Sequence, residues 1–235
     1  LGVIGIISPW NFPIAIPAWK AAPAMMCGNA VILKPASLTA GSAIALTEII
    51  SNQDIPNGLF NLVLGSGSDI GNKIATHPDI AAITFTGSVE IGKKLYHDSS
   101  PTLKKMQMEM GSKNPLVVMD DADLQTAITC AANGAFGGTG QKCTASSRLI
   151  VHENIYKEFV EGLIENIKNL KVGHALDEGT QMGPASNHNQ YESNLNDVEI
   201  GKGEAKLAFG GNPMNMRTPG YYMEPTLFVD GDNKS

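Results

Sequence analysis

Short, continuous apolar runs recur along the first half of the chain, each followed by a stretch that mixes small, polar and apolar residues at helical spacing. GVIGIIS precedes IAIPAWKAAPAMM, NAVILK precedes TAGSAIALTEII, LFNLVLG precedes SDIGNKIAT, and IAAITFTG precedes VEIGKKLY; LKKMQMEM closes the series. Strands that are apolar at successive rather than alternate positions belong in a sheet covered on both faces. Their regular alternation with helices predicts an α/β fold, a doubly wound parallel Rossmann-like sheet, over residues 1–110.

After Gly111 the pattern begins again with NPLVVMD, then ADLQTAITCAANGAF behind a capping Asp120 or Asp121, then SSRLIVH. A second α/β domain is predicted over 111–235. Its clearest helix runs from Asn154 to Leu170, where Ile155, Phe159, Val160, Leu163, Ile164, Ile167 and Leu170 share one face. Residues 173–220 are polar and glycine-rich and are predicted to form mostly loops and short helices. The chain opens directly in a strand at Leu1 and stops at VDGDNKS, so the fold is expected to be incomplete at both ends.

Composition narrows the functional classes. A net charge of −6, spread without basic blocks, argues against nucleic acid as a partner. The apolar runs fall far short of the roughly 20 residues that cross a bilayer, and no charged-then-apolar leader opens the chain, so no membrane segment or export signal is expected. Cys27, Cys130 and Cys143 show no CxxC spacing and no nearby histidine pair, which predicts neither a disulfide framework nor a metal site and makes a reducing cytoplasm the expected location. The five histidines lack partners at catalytic spacing, and the ten methionines read as core filler.

Ligands of a doubly wound sheet bind where strands exit. SPWNFP, KPAS, GSGSDIG, TGSVEIG and EMGSKNP follow the five predicted strands. GSGSDIG misses the dinucleotide fingerprint because one extra residue separates its second and third glycines, so by itself it does not identify the site. Gly87 and Ser88 open a helix whose free N–H groups favour a phosphate, although a plain strand-to-helix turn is the competing reading. Lys34 could donate to ribose hydroxyls or phosphate, or be a solvated edge lysine. Asn11 could be a turn residue or an N–H donor to an oxyanion. Strand alternation puts Gln107 and Glu109 on one face of MQMEMG, opposite Met106, Met108 and Met110; Glu109 suits a general base or an ordinary solvated strand end. Cys143, in GTGQKCTASSR, has only small neighbours that cannot shield it and is expected to be reachable, whereas Cys27 and Cys130 fit small buried hydrophobes.

The ordered set SPWNFP, KPAS, FTGSVEIG, EMGSKNP and GQKC, together with GYYMEPTLF, resembles the NAD(P)-dependent aldehyde dehydrogenase superfamily across essentially the whole chain. The resemblance implies a dinucleotide-binding domain at 1–110 and a catalytic domain at 111–235. It implies Cys143 as nucleophile, Asn11 and the Cys143 N–H as oxyanion donors, and Glu109 as the base that activates hydrolytic water. It places Trp10 and Lys34 beside the adenosine ribose, Gly87 and Ser88 at the pyrophosphate, Thr86 near the nicotinamide and Gly67 and Gly71 on the adenine side. Ser8, Pro9 and Gly111 are further implied cofactor positions.

NAD or NADP is the implied cofactor. Ser37 stands where many NAD-preferring members carry a glutamate, which predicts that NADP is accepted. The GQKCTA context and Ser37 resemble the branches acting on succinic or 2-oxoglutaric semialdehyde, and family membership implies a homodimer or homotetramer. Ser112 replaces a usual second glycine in EMGSKNP, and the family's chain continues to an EIFGP-like segment beyond Ser235. Two competing functions are a non-catalytic dinucleotide-binding relative with an idle cysteine and a cofactor-independent thiol esterase using Cys143 and Glu109.

Overall fold

The computed structural model describes residues 1–232. The chain folds into two compact units, Leu1–Gly111 and Ser112–Ser235. In the first, β1 (Val3–Ile7), α1 (Ala15–Met26), β2 (Ala30–Lys34), α2 (Ala40–Ser51), β3 (Phe60–Leu62), α3 (Asn72–Thr76), β4 (Ile80–Gly87), α4 (Val89–Ser99) and β5 (Lys105–Met110) follow in order. The strands form one parallel sheet in the order β3-β2-β1-β4-β5. The winding direction therefore reverses between β1 and β4, and every strand exits on the same edge.

Each face of the sheet has its own core. Ile4, Ile6, Val31, Leu33 and Ala82 pack with Ala21 of α1 and Ala43 of α2. Ile7, Ile80, Ile83 and Phe85 pack with Ile74 and Ala75 of α3 and Leu95 of α4. The double cover explains why successive strand residues are apolar. Gly5 in β1 lets α3 approach, since a Cβ there would come within 2.5 Å of Ile74.

The second unit contains β6 (Asn114–Val118), α5 (Leu124–Phe136), β7 (Ser146–Val151), α6 (Tyr156–Lys168), α7 (His188–Glu204), β8 (Lys206–Phe209), β9 (Pro213–Met214), β10 (Tyr222–Met223) and β11 (Leu227–Val229). β6 and β7 pair in parallel, while β8 with β11 and β9 with β10 are antiparallel. Phe159, Leu163 and Ile167 of α6 pack with Ile128, Ala131 and Ala132 of α5 over Val118. The apolar stripe read from the sequence is thus the buried face of α6.

Several expectations are corrected. The cap of α5 is Asp123, not Asp120 or Asp121; its carboxylate accepts from Thr126 N at 2.8 Å, and hydrogen bonding from the Thr126 side chain, then from its backbone, holds it below the usual carboxylate range. The polar tract at 173–220 contains α7, which at 17 residues is longer than the loops and short helices expected there. Only Val198 of this helix is buried, so it presents no apolar stripe to a periodicity search. Its signal is local instead: Asn187 accepts from Gln190 N at 2.9 Å, Gln190 donates to Asn194 at 2.8 Å, and Lys202 pairs with Glu199 at 2.7 Å. Cys27 and Cys130 are exposed rather than buried, because Cys27 closes the end of α1 and Cys130 lies away from the α5 residues that pack. Methionine is not uniformly core filler either: Met182 and Met223 are buried, but Met26 and Met119 are exposed. Among the described residues, no helix is long and apolar enough to cross a membrane.

These two kinds of support differ in scale. Phe159→Ala should destabilise the second unit by about 3–5 kcal/mol through lost burial and a residual cavity. Asn187→Ala should cost about 1 kcal/mol through one lost cap. Urea unfolding of the two variants against the parent measures the contrast.

Candidate active site

The parallel register gathers most of the candidate residues of the first unit on the strand-exit edge. Ile7 pairs with Lys34 on one side and with Phe85 on the other, and Thr86 pairs with Glu109. Ser8, Pro9, Trp10 and Asn11 leave β1 toward α1; Ser8 is buried, and Pro9, Trp10 and Asn11 are half-buried. Ser37 lies exposed in a 3-10 turn, Ser37–Thr39, just beyond Lys34. Gly67 and Gly71 bound a π-type turn leading into α3, capped by Ser66, whose Oγ accepts from Asp69 N at 3.1 Å. Gly111 follows β5.

Strand alternation divides this edge. Lys34, Phe85 and Gly87 fall on the α3/α4 side. Lys34 is 6% exposed, and its ammonium has no hydrogen bond or ion pair among the described residues. Burial holds it below its ordinary 10.5. A lysine whose stem is buried and whose ammonium has no protein partner fits a site that takes an acceptor from a ligand. Ser8 Oγ is likewise buried and unpartnered. Ser88 caps α4, its Oγ accepting from Ile91 N at 3.3 Å, and the first N–H groups of α4 lie outside the helix's own bonding. Gly87 must be glycine because a Cβ would lie 2.5 Å from the buried Phe85 ring. These features fit the phosphate and ribose of a dinucleotide.

The α1 side carries a polar chain. Lys20 Nζ donates to Thr84 Oγ1 and to Gln107 Oε1, both at 2.7 Å, Thr84 donates to the same Oε1, and Gln107 Nε2 donates to Glu109 Oε1 at 3.0 Å. Burial lowers the Lys20 ammonium from its ordinary value, and the Glu109 charge opposes that shift. Sequence reasoning passed over Lys20; the available signal was a lone charge inside the otherwise uncharged helix AIPAWKAAPAMM.

In the second unit, Cys143 is exposed and precedes β7, at the N-terminal end of the β6–β7 pair. It occupies a tight turn closed by Ala145 N to Lys142 O at 3.0 Å. Asn114 Nδ2 donates to Cys143 O at 2.7 Å and to Ala145 O at 3.1 Å. Upstream, Gly138, Thr139 and Gly140 are all left-handed, with φ of 64°, 63° and 64°. Thr139 is a β-branched residue in a costly conformation. Its Oγ1 donates to Gly183 O and accepts from Gly183 N, both at 3.1 Å. Gln141 Oε1 accepts from Ser186 N at 2.8 Å and its Nε2 donates to Pro184 O at 3.3 Å. The loop that carries the thiol is therefore held from both sides. Asn114 lies within EMGSKNP, but its partner is 29 residues away, beyond the reach of a local motif.

The whole chain, residues 1–235, matches the aldehyde dehydrogenase family. It is 45% identical over 231 residues to an alpha-ketoglutaric semialdehyde dehydrogenase of Bacillus subtilis, covering 97% of this chain and 47% of that protein. It is 44% identical over 233 residues to a betaine aldehyde dehydrogenase of Brucella anthropi, covering 98% of this chain and 48% of the relative. A crystal structure of Staphylococcus aureus betaine aldehyde dehydrogenase in complex with NAD+ superposes with a TM-score of 0.97 at 32% identity, covering 99% of this chain and 47% of that one. The chain spans about half the length of the curated relatives it matches.

The buried Lys34 charge has a measurable consequence. Its folded value lies below 10.5, so in the interval between the two the unfolded chain binds more protons and stability rises with pH. Below that interval the cost of burying the charge is fully present; above it the cost is gone. Lys34→Met should therefore stabilise the ligand-free protein near neutral pH, with a gain that shrinks as pH approaches 10.5. Urea midpoints of the variant and parent across that range check this.

Proposed function

The chain belongs to the aldehyde dehydrogenase family, and we propose that the whole protein oxidises an aldehyde to the corresponding carboxylic acid with NAD+ or NADP+. The observation that carries the reading is the exposed Cys143 thiol in a loop fixed by Asn114, Thr139 and Gln141. A nucleophile held in one place loses little freedom on attack.

In this reading the Cys143 thiolate adds to the aldehyde carbon, forming a C–S bond and an oxyanion. The Asn11 amide and the Cys143 N–H donate to that oxyanion. When bound, a nicotinamide cofactor supplies the acceptor for the hydride that leaves the carbon. Cys143 then carries the acyl group as a thioester. Glu109 takes a proton from water, the water oxygen bonds to the acyl carbon, the C–S bond breaks, and the thiolate and the acid are released. Lys34, Gly87, Ser88, Trp10 and Thr86 would hold the cofactor, with Ser8, Pro9, Ser37, Gly67, Gly71 and Gly111 around it. Ser37 places no carboxylate where a ribose 2′-phosphate would be repelled, which supports use of NADP.

The substrate class we infer is a short acidic semialdehyde. Its support is the semialdehyde named for the Bacillus subtilis relative and the 2,5-dioxopentanoate named for a Saccharolobus solfataricus relative at 43% identity. Three free thiols suit a reducing cytoplasm. A homodimer or homotetramer is the assembly proposed for the whole protein.

Three measurements on the whole protein test the reading. Cys143→Ser should retain cofactor binding but form no NADH, even in a single turnover; turnover like the parent's would overturn the assignment. Ser37→Glu should lower kcat/KM with NADP by about tenfold or more, a difference of about 1.4 kcal/mol, while sparing NAD. A screen of aldehydes should favour 2-oxoglutaric and succinic semialdehydes over neutral alkyl aldehydes, and equal rates would remove the substrate inference.

A further inference from the structure

The polar chain on the α1 side of the sheet fixes the orientation of one amide. Two donors, the Lys20 ammonium and the Thr84 hydroxyl, converge on Gln107 Oε1. Only an oxygen can accept both. Were the amide reversed, its NH2 would face an ammonium and its oxygen would face a carboxylate, creating two repulsions at once. The lysine and threonine therefore turn Gln107 Nε2 toward Glu109 Oε1, which accepts from it at 3.0 Å. Lys20 also contacts the Phe85 carbonyl at 3.5 Å, which ties its ammonium to the β4 backbone.

This arrangement brings together groups 64, 87, 23 and 2 residues apart in the chain. Gln107 and Glu109 are both exposed strand residues, and an exposed glutamate side chain ordinarily samples several rotamers. One amide donor, itself oriented by a half-buried ammonium, selects among them. Neutral Gln107 does so without placing a second charge beside the carboxylate.

We propose that Gln107 is a positioning residue for hydrolysis: held in one orientation by Lys20 and Thr84, it fixes the Glu109 carboxylate for water activation. The proposal rests on the reading of Glu109 as the base. It predicts an effect confined to the step that Glu109 serves, leaving hydride transfer alone.

The test uses the whole protein with its aldehyde and NAD+, measuring single-turnover NADH formation separately from subsequent thioester hydrolysis by rapid quench. Gln107→Met keeps the side-chain length and removes the donor. It should leave the single-turnover rate within about twofold and slow hydrolysis by about tenfold, a fraction of the 10²–10⁴ ascribed to a general base. Lys20→Met, which frees the amide to reverse, should affect the same step, and it keeps the proposal testable if Gln107→Met folds poorly. Adding Gln107→Met to Glu109→Gln should cost no further rate, because a residue acting only through Glu109 has nothing left to position.

Equal losses in both steps, an additive double variant, or unchanged hydrolysis in both single variants would each overturn the proposal. Glu109→Gln alone separates the two levels. If it hydrolyses the thioester like the parent, the base reading falls and this proposal falls with it. If it is impaired while Gln107→Met and Lys20→Met are not, only the positioning role is lost.

Discussion

The parallel pairing of β1 with β2 and β4 is the constraint on which the rest of the first unit depends. That register aligns Ile7 with Lys34 and Phe85, and the β4–β5 register aligns Thr84 with Gln107 and Thr86 with Glu109. A slip of one residue would turn every side chain to the opposite face. Lys34 would then leave the α3/α4 side and Gln107 would leave Lys20. The register is protected because both faces are buried, so the same slip would exchange Ile6 and Ile7 between two cores packed against different helices.

Within that frame, two lysines lie near the core beside the strand-exit edge. Lys20 loses hydration but gains Thr84 and Gln107, whereas Lys34 loses hydration and gains no partner among the described residues. The first belongs to a satisfied network; the second keeps its ammonium free of protein partners. The second unit uses backbone strain in place of buried charge. Three successive left-handed residues bend the chain ahead of Cys143; side-chain hydrogen bonds from Thr139 and Gln141 hold the bend, and Asn114 holds the turn at Cys143 itself.

What the sequence disclosed followed the range of the interactions involved. The strands of the first unit and helix α6 were legible because their burial repeats within a few residues. The strand exits were legible because parallel topology puts them on one edge whatever the loops contain. Helix α7 was not, since its support is capping and polar pairs around a single buried residue, Val198. The exposure of Cys27 and Cys130 was missed because apolar neighbours in sequence are not neighbours in space. Lys20, Asn114 and the Gln107 bridge escaped for the same reason: each acts on a group brought near only by folding, as with the 87 residues between Lys20 and Gln107.

The division of the strand-exit edge between its two faces has an evolutionary meaning. Lys34 and Gly87 lie on one side of the sheet, and Lys20, Thr84, Gln107 and Glu109 lie on the other, with the backbone hydrogen-bond ladder between them. Substitutions that retune one set need not disturb the packing of the other. One set of side chains can thus change while the packing beneath the other is inherited intact.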